Sequence, residues 1–190
     1  MSEDHFHVHG PHEHEVEHRA QHGDPFAGKI AVMTAIFATI GAMMGYMGGA
    51  TQNEALLYKN EAAIRKTEAS DQWNFYQAKS SKQNLAELSV ALTSGDQQAR
   101  YQKEVERYKK EKEEIMPEAK KLEQQSKDAE QKSEEAMHVH HRWAQATTLI
   151  QISIALAAIT ILTRNKRLEY VAYAVAAASV AIGGLALAHI

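Results

Sequence analysis

Long stretches without charged side chains constrain the fold of this chain more than any other feature of its sequence. Residues 30–53, 143–163 and 170–190 contain no Asp, Glu, Lys or Arg. These runs comprise 24, 21 and 21 residues, so all 45 charged side chains of the 190-residue chain fall on the remaining 124 residues. A soluble domain usually spreads its charges more evenly. The distribution therefore argues against a single compact soluble fold.

Each uncharged run is long enough to cross a lipid bilayer, since about 20 apolar residues in a helix span its hydrocarbon layer. Lys29 precedes the first run, Trp143 opens the second and Tyr170 opens the third, and such side chains are typical of membrane interfaces. Buried helices of a soluble bundle are the alternative, which three charge-free runs disfavour. The predicted transmembrane helices are 29–50, 143–163 and 169–190, with a basic loop at 164–168.

A polar block, residues 51–142, separates the first two predicted spans. It contains no glycine or proline other than Gly95 and Pro117. The segment at residues 93–96 (Thr-Ser-Gly-Asp) is a turn signal, because glycine suits the end of one helix and aspartate the start of the next. We therefore predict two arms of about 42 and 46 residues. The predicted fold class is an all-α membrane protein with three transmembrane helices and a long antiparallel coiled-coil hairpin between the first and second.

The second arm carries a clear seam, meaning a row of residues spaced alternately by three and four that faces a partner helix. Most of its members are apolar or aromatic, which is typical of a coiled coil. Pro117 lies off this row, so we expect it to kink the arm without ending it. The predicted seam is Tyr101, Val105, Tyr108, Lys112, Ile115, Ala119, Leu122, Ser126, Ala129, Ser133, Ala136, His140 and Trp143.

The first arm is less regular, and its predicted seam follows the large aliphatic residues. Trp73, Phe75 and Tyr76 lie outside this row. Either these aromatic side chains fill space beside Pro117, or they contact a second subunit. The predicted seam is Leu57, Asn60, Ile64, Thr67, Asp71, Asn74, Ala78, Ser81, Leu85, Leu88 and Leu92.

The loop between the second and third spans predicts the orientation in the membrane. It holds Arg164, Lys166 and Arg167, and basic residues in short loops mark the cytoplasmic side. With three spans, the N-terminus then lies in the cytoplasm, whereas the hairpin and the C-terminus lie on the opposite side.

Several segments together resemble a bacterial family of small membrane proteins called domain of unknown function 4337. They are Asp-Gln-Trp-Asn-Phe-Tyr-Gln-Ala-Lys at 71–79, Asp-Pro-Phe at 24–26 and His-His-Arg at 140–142, in the order of one span, a polar hairpin and two spans. The resemblance covers nearly the whole chain and implies this architecture, but no activity. We accordingly expect a protein of the bacterial inner (cytoplasmic) membrane with a periplasmic hairpin.

The N-terminal tail, residues 1–28, is predicted to be disordered and is rich in histidine and acidic residues. Imidazole suits zinc, copper, nickel and cobalt, so the tail is a candidate site for a divalent transition metal; the alternative is a solvated tail whose imidazoles only titrate near neutral pH. His140, on the second-arm seam, is expected to form an interhelical hydrogen bond or to anchor the helix at the membrane interface, and His138, His140 and His141 are a candidate second metal site. The candidate metal ligands are His5, His7, His9, His12, His14, His18 and His22.

Within the spans, small and polar residues are candidate helix-packing positions. Gly41, Gly45 and Gly49 recur every four residues, which allows close approach of helices in lipid. Gln151 is the only amide side chain in the apolar segment at residues 146–163, and we expect it to bond a neighbouring helix. Apart from Lys29 and Glu169 at the span boundaries, no charged residue lies inside a span, which disfavours a pump or transporter.

The chain shows no catalytic motif and no cysteine, and we predict that it is not an enzyme. Its net charge of -3 gives no reason to expect nucleic acid, and no small-molecule substrate is evident. The sequence favours a membrane scaffold or assembly protein that forms a homo-oligomer through its spans and hairpin, or joins a larger membrane complex. The alternative is a metal-responsive accessory protein that binds a transition metal through the histidine tail.

Overall fold

The structure, a computed structural model, describes residues 24–188, which form three α-helices. Helix α1 is Pro25–Leu92, α2 is Asp96–Thr163 and α3 is Lys166–Leu187. Each helix contains a segment long and apolar enough to cross a membrane. The all-helical class and the three membrane-compatible helices are thus confirmed. The seven candidate metal ligands of the tail lie outside the described residues.

Helices α1 and α2 are longer than the predicted arms, because each continues unbroken from an apolar segment into the polar block. Each has 68 residues. A continuous helix keeps its backbone N–H and C=O groups paired as the chain passes from one environment to the other, whereas a break would leave several without partners. Pro117 lies inside α2, which confirms that it does not end the arm.

Helix α1 begins at Pro25, within the segment assigned to the disordered tail. Asp24 Oδ1 accepts a hydrogen bond from the backbone N–H of Phe26 at 3.1 Å. Proline is favoured in the first helical position, because an N–H there has no partner within the helix. The boundary predicted at residue 28 is therefore too late, since Asp24 and Pro25 together start the helix.

The turn between α1 and α2 lies in the predicted segment. Gly95 has a φ of +64°, a left-handed conformation that glycine adopts without steric cost. Its carbonyl accepts a hydrogen bond from the backbone N–H of Ala99 at 3.1 Å. Gly95 therefore takes the N-cap position that we had assigned to Asp96, which is already helical.

Two compact units make up the chain. One, called the span unit here, comprises Met1–Gly48 and Val139–Ile190; the other, the hairpin unit, is Gly49–His138.

The span unit packs its three helix segments through small side chains. Ser153 Oγ donates a hydrogen bond to the carbonyl of Ala172 at 2.9 Å, and Ser179 Oγ donates to the carbonyl of Ala146 at 2.7 Å. Side chain to backbone bonds of this kind require close helix approach, which small residues permit in lipid. The buried core comprises Ile30, Met33, Phe37, Met44, Trp143, Ala146, Ile150, Ala157, Ala172, Ala176 and Ala186.

In the hairpin unit, the seam predicted for the second arm is confirmed. Every predicted position from Tyr101 to Ala136 is buried or half-buried. The row narrows from tyrosine and valine to alanine and serine as residue number increases. A row of such small side chains can be covered only by a helix that approaches closely.

The seam predicted for the first arm is wrong, because all eleven of its positions are exposed. A different row of α1, also spaced by three and four, is buried or half-buried. Alanine recurs in it every seven residues over its first half. The observed seam is Ala55, Tyr58, Ala62, Arg65, Ala69, Gln72, Tyr76, Lys79, Gln83, Ala86, Val90 and Thr93.

Close contact between the arms explains why alanine and not leucine lines this seam. Ser126 Oγ donates to the carbonyl of Ala62, and Ser133 Oγ donates to the carbonyl of Ala55, both at 2.8 Å. A leucine at either alanine position would hold the helices too far apart for these bonds. In both contacts, and in the ion pair between Lys59 and Glu130, a lower residue number in α1 accompanies a higher number in α2.

Candidate functional site

Large apolar side chains occupy the outer surface of the first arm. We call Leu57, Ile64, Leu85, Leu88 and Leu92 the outer leucine face. Their side chains are between 56% and 76% exposed. Four of them are separated by multiples of seven residues, which places them along one side of the helix. They form two exposed apolar patches, at residues 57–64 and at residues 85–92, and exposed apolar patches mark interaction sites in a folded protein.

The second arm has no comparable surface. No large hydrophobic residue described between positions 96 and 151 of α2 is exposed by more than about a third, whereas α1 exposes seven between 56 and 92. The two arms differ in the residue types on their outer surfaces, because the outer side of the second arm is made mainly of Lys, Glu and Gln. One arm therefore presents apolar surface and the other presents charge.

The three aromatic residues singled out in the sequence face different ways. Trp73 and Tyr76 stack edge to face with ring centroids 5.5 Å apart. The Trp73 indole N–H donates to Glu123 Oε1 of the second arm at 2.9 Å, while Phe75 is 58% exposed. Pro117 is exposed as well. Trp73 therefore contacts the partner arm, and Phe75 adds apolar surface to the outside.

Ion pairs join the two arms within and beside the hairpin seam. Lys79 Nζ lies 2.6 Å from Glu111, and Lys59 Nζ lies 2.7 Å from Glu130. Hydrogen bonding from each lysine holds the pKa of Glu111 and of Glu130 below its usual value. The stabilisation is present at neutral pH and is lost as the pH falls through the lowered carboxyl pKa. The Lys59–Glu130 pair is largely exposed to solvent and the Lys79–Glu111 pair is partly exposed, so solvent screening keeps their contribution small.

The glycines of the span unit fall into two groups, distinguished by what a side chain there would meet. A Cβ on Gly41 would lie 3.0 Å from Ile150 Cγ2, and one on Gly48 would lie 3.4 Å from Trp143 Cβ. A Cβ on Gly45 would meet no atom within 4 Å. Gly41 and Gly48 therefore serve packing within the chain, and Gly45 does not.

Two further glycines extend this division. Gly49, which belongs to the hairpin unit, is open like Gly45. Gly183 in α3 would place a Cβ 3.1 Å from Met44 Cε and 3.4 Å from Trp143 Cζ3. Sequence reasoning missed Gly183 and Gly48, because it searched for repeats of four within a single helix. Tight packing here depends instead on what the facing helix presents.

Gln151 lies on the exposed side of α2. Its amide has no hydrogen-bond partner among residues 24–188, in contrast to the buried Ser153 two residues further on. The interhelical bond predicted for Gln151 is therefore not made among residues 24–188.

The basic loop between α2 and α3 is tied to the start of α1. Arg164 adopts a left-handed φ of 52°, and its guanidinium lies 2.6 Å from Asp24. Lys29 forms a second ion pair with the buried side chain of Glu169. Lys166 and Arg167, in the first turn of α3, are exposed. Sequence analysis identified the basic members, and it missed Asp24 and Glu169 as their partners.

Histidines cluster where α2 passes from the hairpin unit into the span unit. Within the span unit, His140 Nδ1 donates to the carbonyl of Gly48 at 2.8 Å, which confirms the predicted interhelical bond. Among residues 24–188, no group of three or more His, Cys, Asp or Glu side chains is placed to hold a metal ion. The metal hypothesis therefore concerns the tail alone.

An open groove of about 560 Å³ lies beside these histidines in the span unit. Its polar lining consists of the side chains of His141, Gln145 and Thr148. A general acid–base mechanism requires titratable groups paired at a defined geometry, and His141 is the one titratable residue in this lining. The groove offers a shallow surface, with apolar walls formed by Ala144, Leu149 and Ile182.

These features define a class: an all-helical protein with three membrane-compatible helices, two of which extend into a polar helical unit. Comparison with known families then identifies the chain. A family profile described as Domain of unknown function (DUF4337) matches residues 26–189, and the chain belongs to this family, as its sequence features had indicated. No curated protein and no solved structure matches it.

Proposed function

We propose that this protein is a non-enzymatic scaffold or assembly protein of the bacterial inner membrane, and that it self-associates. The observation that carries the proposal is the outer leucine face, because an extended helical unit with exposed apolar surface requires a protein partner. A scaffold needs anchoring and a binding surface, and it needs no catalytic group.

The proposed arrangement is an antiparallel coiled-coil hairpin that projects from three membrane spans. The inverse order of contacts between the arms supports the antiparallel direction. Exposed Arg164 in the short connection between α2 and α3, with exposed Lys166 and Arg167 in the first turn of α3, supports a cytoplasmic loop. The N-terminal tail is then cytoplasmic, and the hairpin is periplasmic.

Two surfaces of the span unit support association within the bilayer. Gly45 is open to approach by another helix. The exposed amide of Gln151 needs a partner that hydrocarbon does not supply, and a second protein molecule supplies one. Among residues 24–188, Gly45 and Gln151 do not pack against another helix.

We expect the purified protein in mild detergent to have the mass of an oligomer and to cross-link in native membranes. Because the chain has no cysteine, single substitutions such as Gln97→Cys and Lys166→Cys can report the side of the membrane with an impermeant thiol reagent. In intact cells with a permeabilised outer membrane, we expect labelling at position 97 and none at 166. A monomer at all concentrations would contradict self-association, and the reverse labelling would contradict the orientation.

A second candidate function rests on the seven histidines of the tail. We propose as the alternative that they bind a divalent transition metal and make the protein metal-responsive. Calorimetry of the full-length protein should then show sub-micromolar affinity for Zn²⁺, Ni²⁺, Cu²⁺ or Co²⁺. The matched control replaces His14, His18 and His22 by Gln. Affinity no better than micromolar in the unaltered chain would leave only the scaffold proposal.

A further inference from the structure

We propose that two copies of the chain dock through the outer leucine face, with their first arms parallel and in register. The inference rests on the proposed membrane anchoring, and it names the surface and geometry of the association. The starting observation is that the face extends over 36 residues of one helix, from Leu57 to Leu92, with apolar side chains at both ends of the row and a mainly polar stretch between Ile64 and Leu85. A second helix of similar length is the shape that covers such a row.

Among residues 24–188, no other segment offers a helix to cover this face. The second arm is already paired through its own seam, and its outer surface is charged. Residues 1–23 contain seven histidines and five acidic side chains, with few apolar residues. Among the residues described outside the membrane-compatible segments, the outer leucine face is the one apolar row of this length. The surface that matches it is therefore the same face on a second copy.

The charges beside the face are compatible with parallel, in-register pairing. In that geometry, a residue on one flank of the row lies near a residue on the opposite flank of the other helix, five positions away in the sequence. Glu68 then faces the second copy's Ala63, and Lys82 faces the second copy's Gln77. No like charges meet along these flanks. Both copies are anchored in one bilayer by α1, so both first arms leave it in the same direction.

Polar residues in the middle of the row set its register. In the in-register pair, leucine and isoleucine meet at both ends of the row, while Asn60 and Asn74 meet their equivalents between them. Buried asparagine layers fix register and two-strandedness in coiled coils at some cost in stability. Asp71 meets its own equivalent, and this like-charge contact weakens the pair. Asp71→Asn is therefore expected to tighten the dimer.

Disulfide cross-linking in native membranes tests the geometry. With cysteine introduced by Leu85→Cys, oxidation should give a covalent dimer, because equivalent residues of a parallel seam lie within disulfide reach. Glu87→Cys, about 160° further round the same helix, is the matched control and should give little dimer. A further sample mixes chains that carry Leu57→Cys with chains that carry Leu88→Cys. If the mixture forms cross-links and neither variant does so alone, the arms pair antiparallel and the inference is overturned.

Affinity provides the second test. Leu85→Gln combined with Leu92→Gln should weaken dimerisation by roughly tenfold or more, with unchanged helix content by circular dichroism. Asn84→Gln with Ala91→Gln, exposed positions one residue earlier, should not weaken it.

If the leucine variant stays dimeric, the spans hold the oligomer, and the inference fails while the proposed function stands. If the unaltered chain is monomeric, both fail.

Discussion

Gly183→Leu is expected to lower the melting temperature of the protein in mild detergent by roughly 2–12 °C, corresponding to about 1–3 kcal/mol of overpacking. A Cβ at this position already lies 3.1 Å from Met44 Cε and 3.4 Å from Trp143 Cζ3. The methionine end can move, but the buried indole of Trp143 and the Cβ of Ala146 behind it leave no room for three further carbons. Relief therefore requires α3 to shift.

The adjacent glycine supplies the control. A Cβ on Gly184 would meet no atom within 4 Å, so Gly184→Leu should leave the melting temperature unchanged or slightly raised. Both substitutions improve helix propensity by about 1 kcal/mol, and this gain cancels in the comparison. Thermal unfolding followed by circular dichroism measures the difference. Equal melting temperatures for the two variants would show that α3 does not pack through Gly183.

Ala62→Leu is expected to destabilise the hairpin by about 1–3 kcal/mol. Ala62 is 6% exposed, and its carbonyl accepts the hydrogen bond from Ser126 Oγ at 2.8 Å. A leucine side chain would separate the arms and lengthen this bond. Its loss adds about 0.5–1.5 kcal/mol to the cost of overpacking.

Hydrogen exchange measures this effect locally in the full chain. Amides around positions 62 and 126 should exchange roughly 5- to 150-fold faster in Ala62→Leu. Ala63→Leu, at the neighbouring exposed position, should change the local stability by no more than about 0.5 kcal/mol. Comparing Ala62→Leu with Ala63→Leu separates the effect of a seam position from the effect of side-chain size. Equal exchange in both variants would mean that the alanine row does not form the interface.

The two arms show how far sequence reasoning extends in a helical hairpin. The second-arm seam was predictable, because apolar residues there recur with coiled-coil spacing and most competing positions are charged. The first arm offered two rows with the same spacing. The leucine row is more hydrophobic, and choosing it placed the seam on the outer surface.

A signal for the correct choice was present in the partner arm. The second-arm seam includes Ser126, Ala129 and Ser133. These side chains are too small to fill the space that a leucine row on the first arm would open between the two helices, so the first-arm row also had to be small to preserve packing density. The seven-residue repeat Ala55, Ala62 and Ala69 meets that condition. Considering the two arms together, instead of maximising hydrophobicity in each, identifies the observed seam.

By itself, the sequence determined that the chain is helical, where its apolar segments lie and where the polar block turns at Gly95. These properties depend on local composition and on turn chemistry, which act within a few residues along the chain. Only the tertiary structure decided which face of α1 is internal, which glycines admit another helix and which acids partner Arg164 and Lys29. Those outcomes depend on the volume and charge that a distant segment brings opposite, because helix approach is limited by the larger of two facing side chains. The leucine row thus remains on the outside, where a second molecule can reach it.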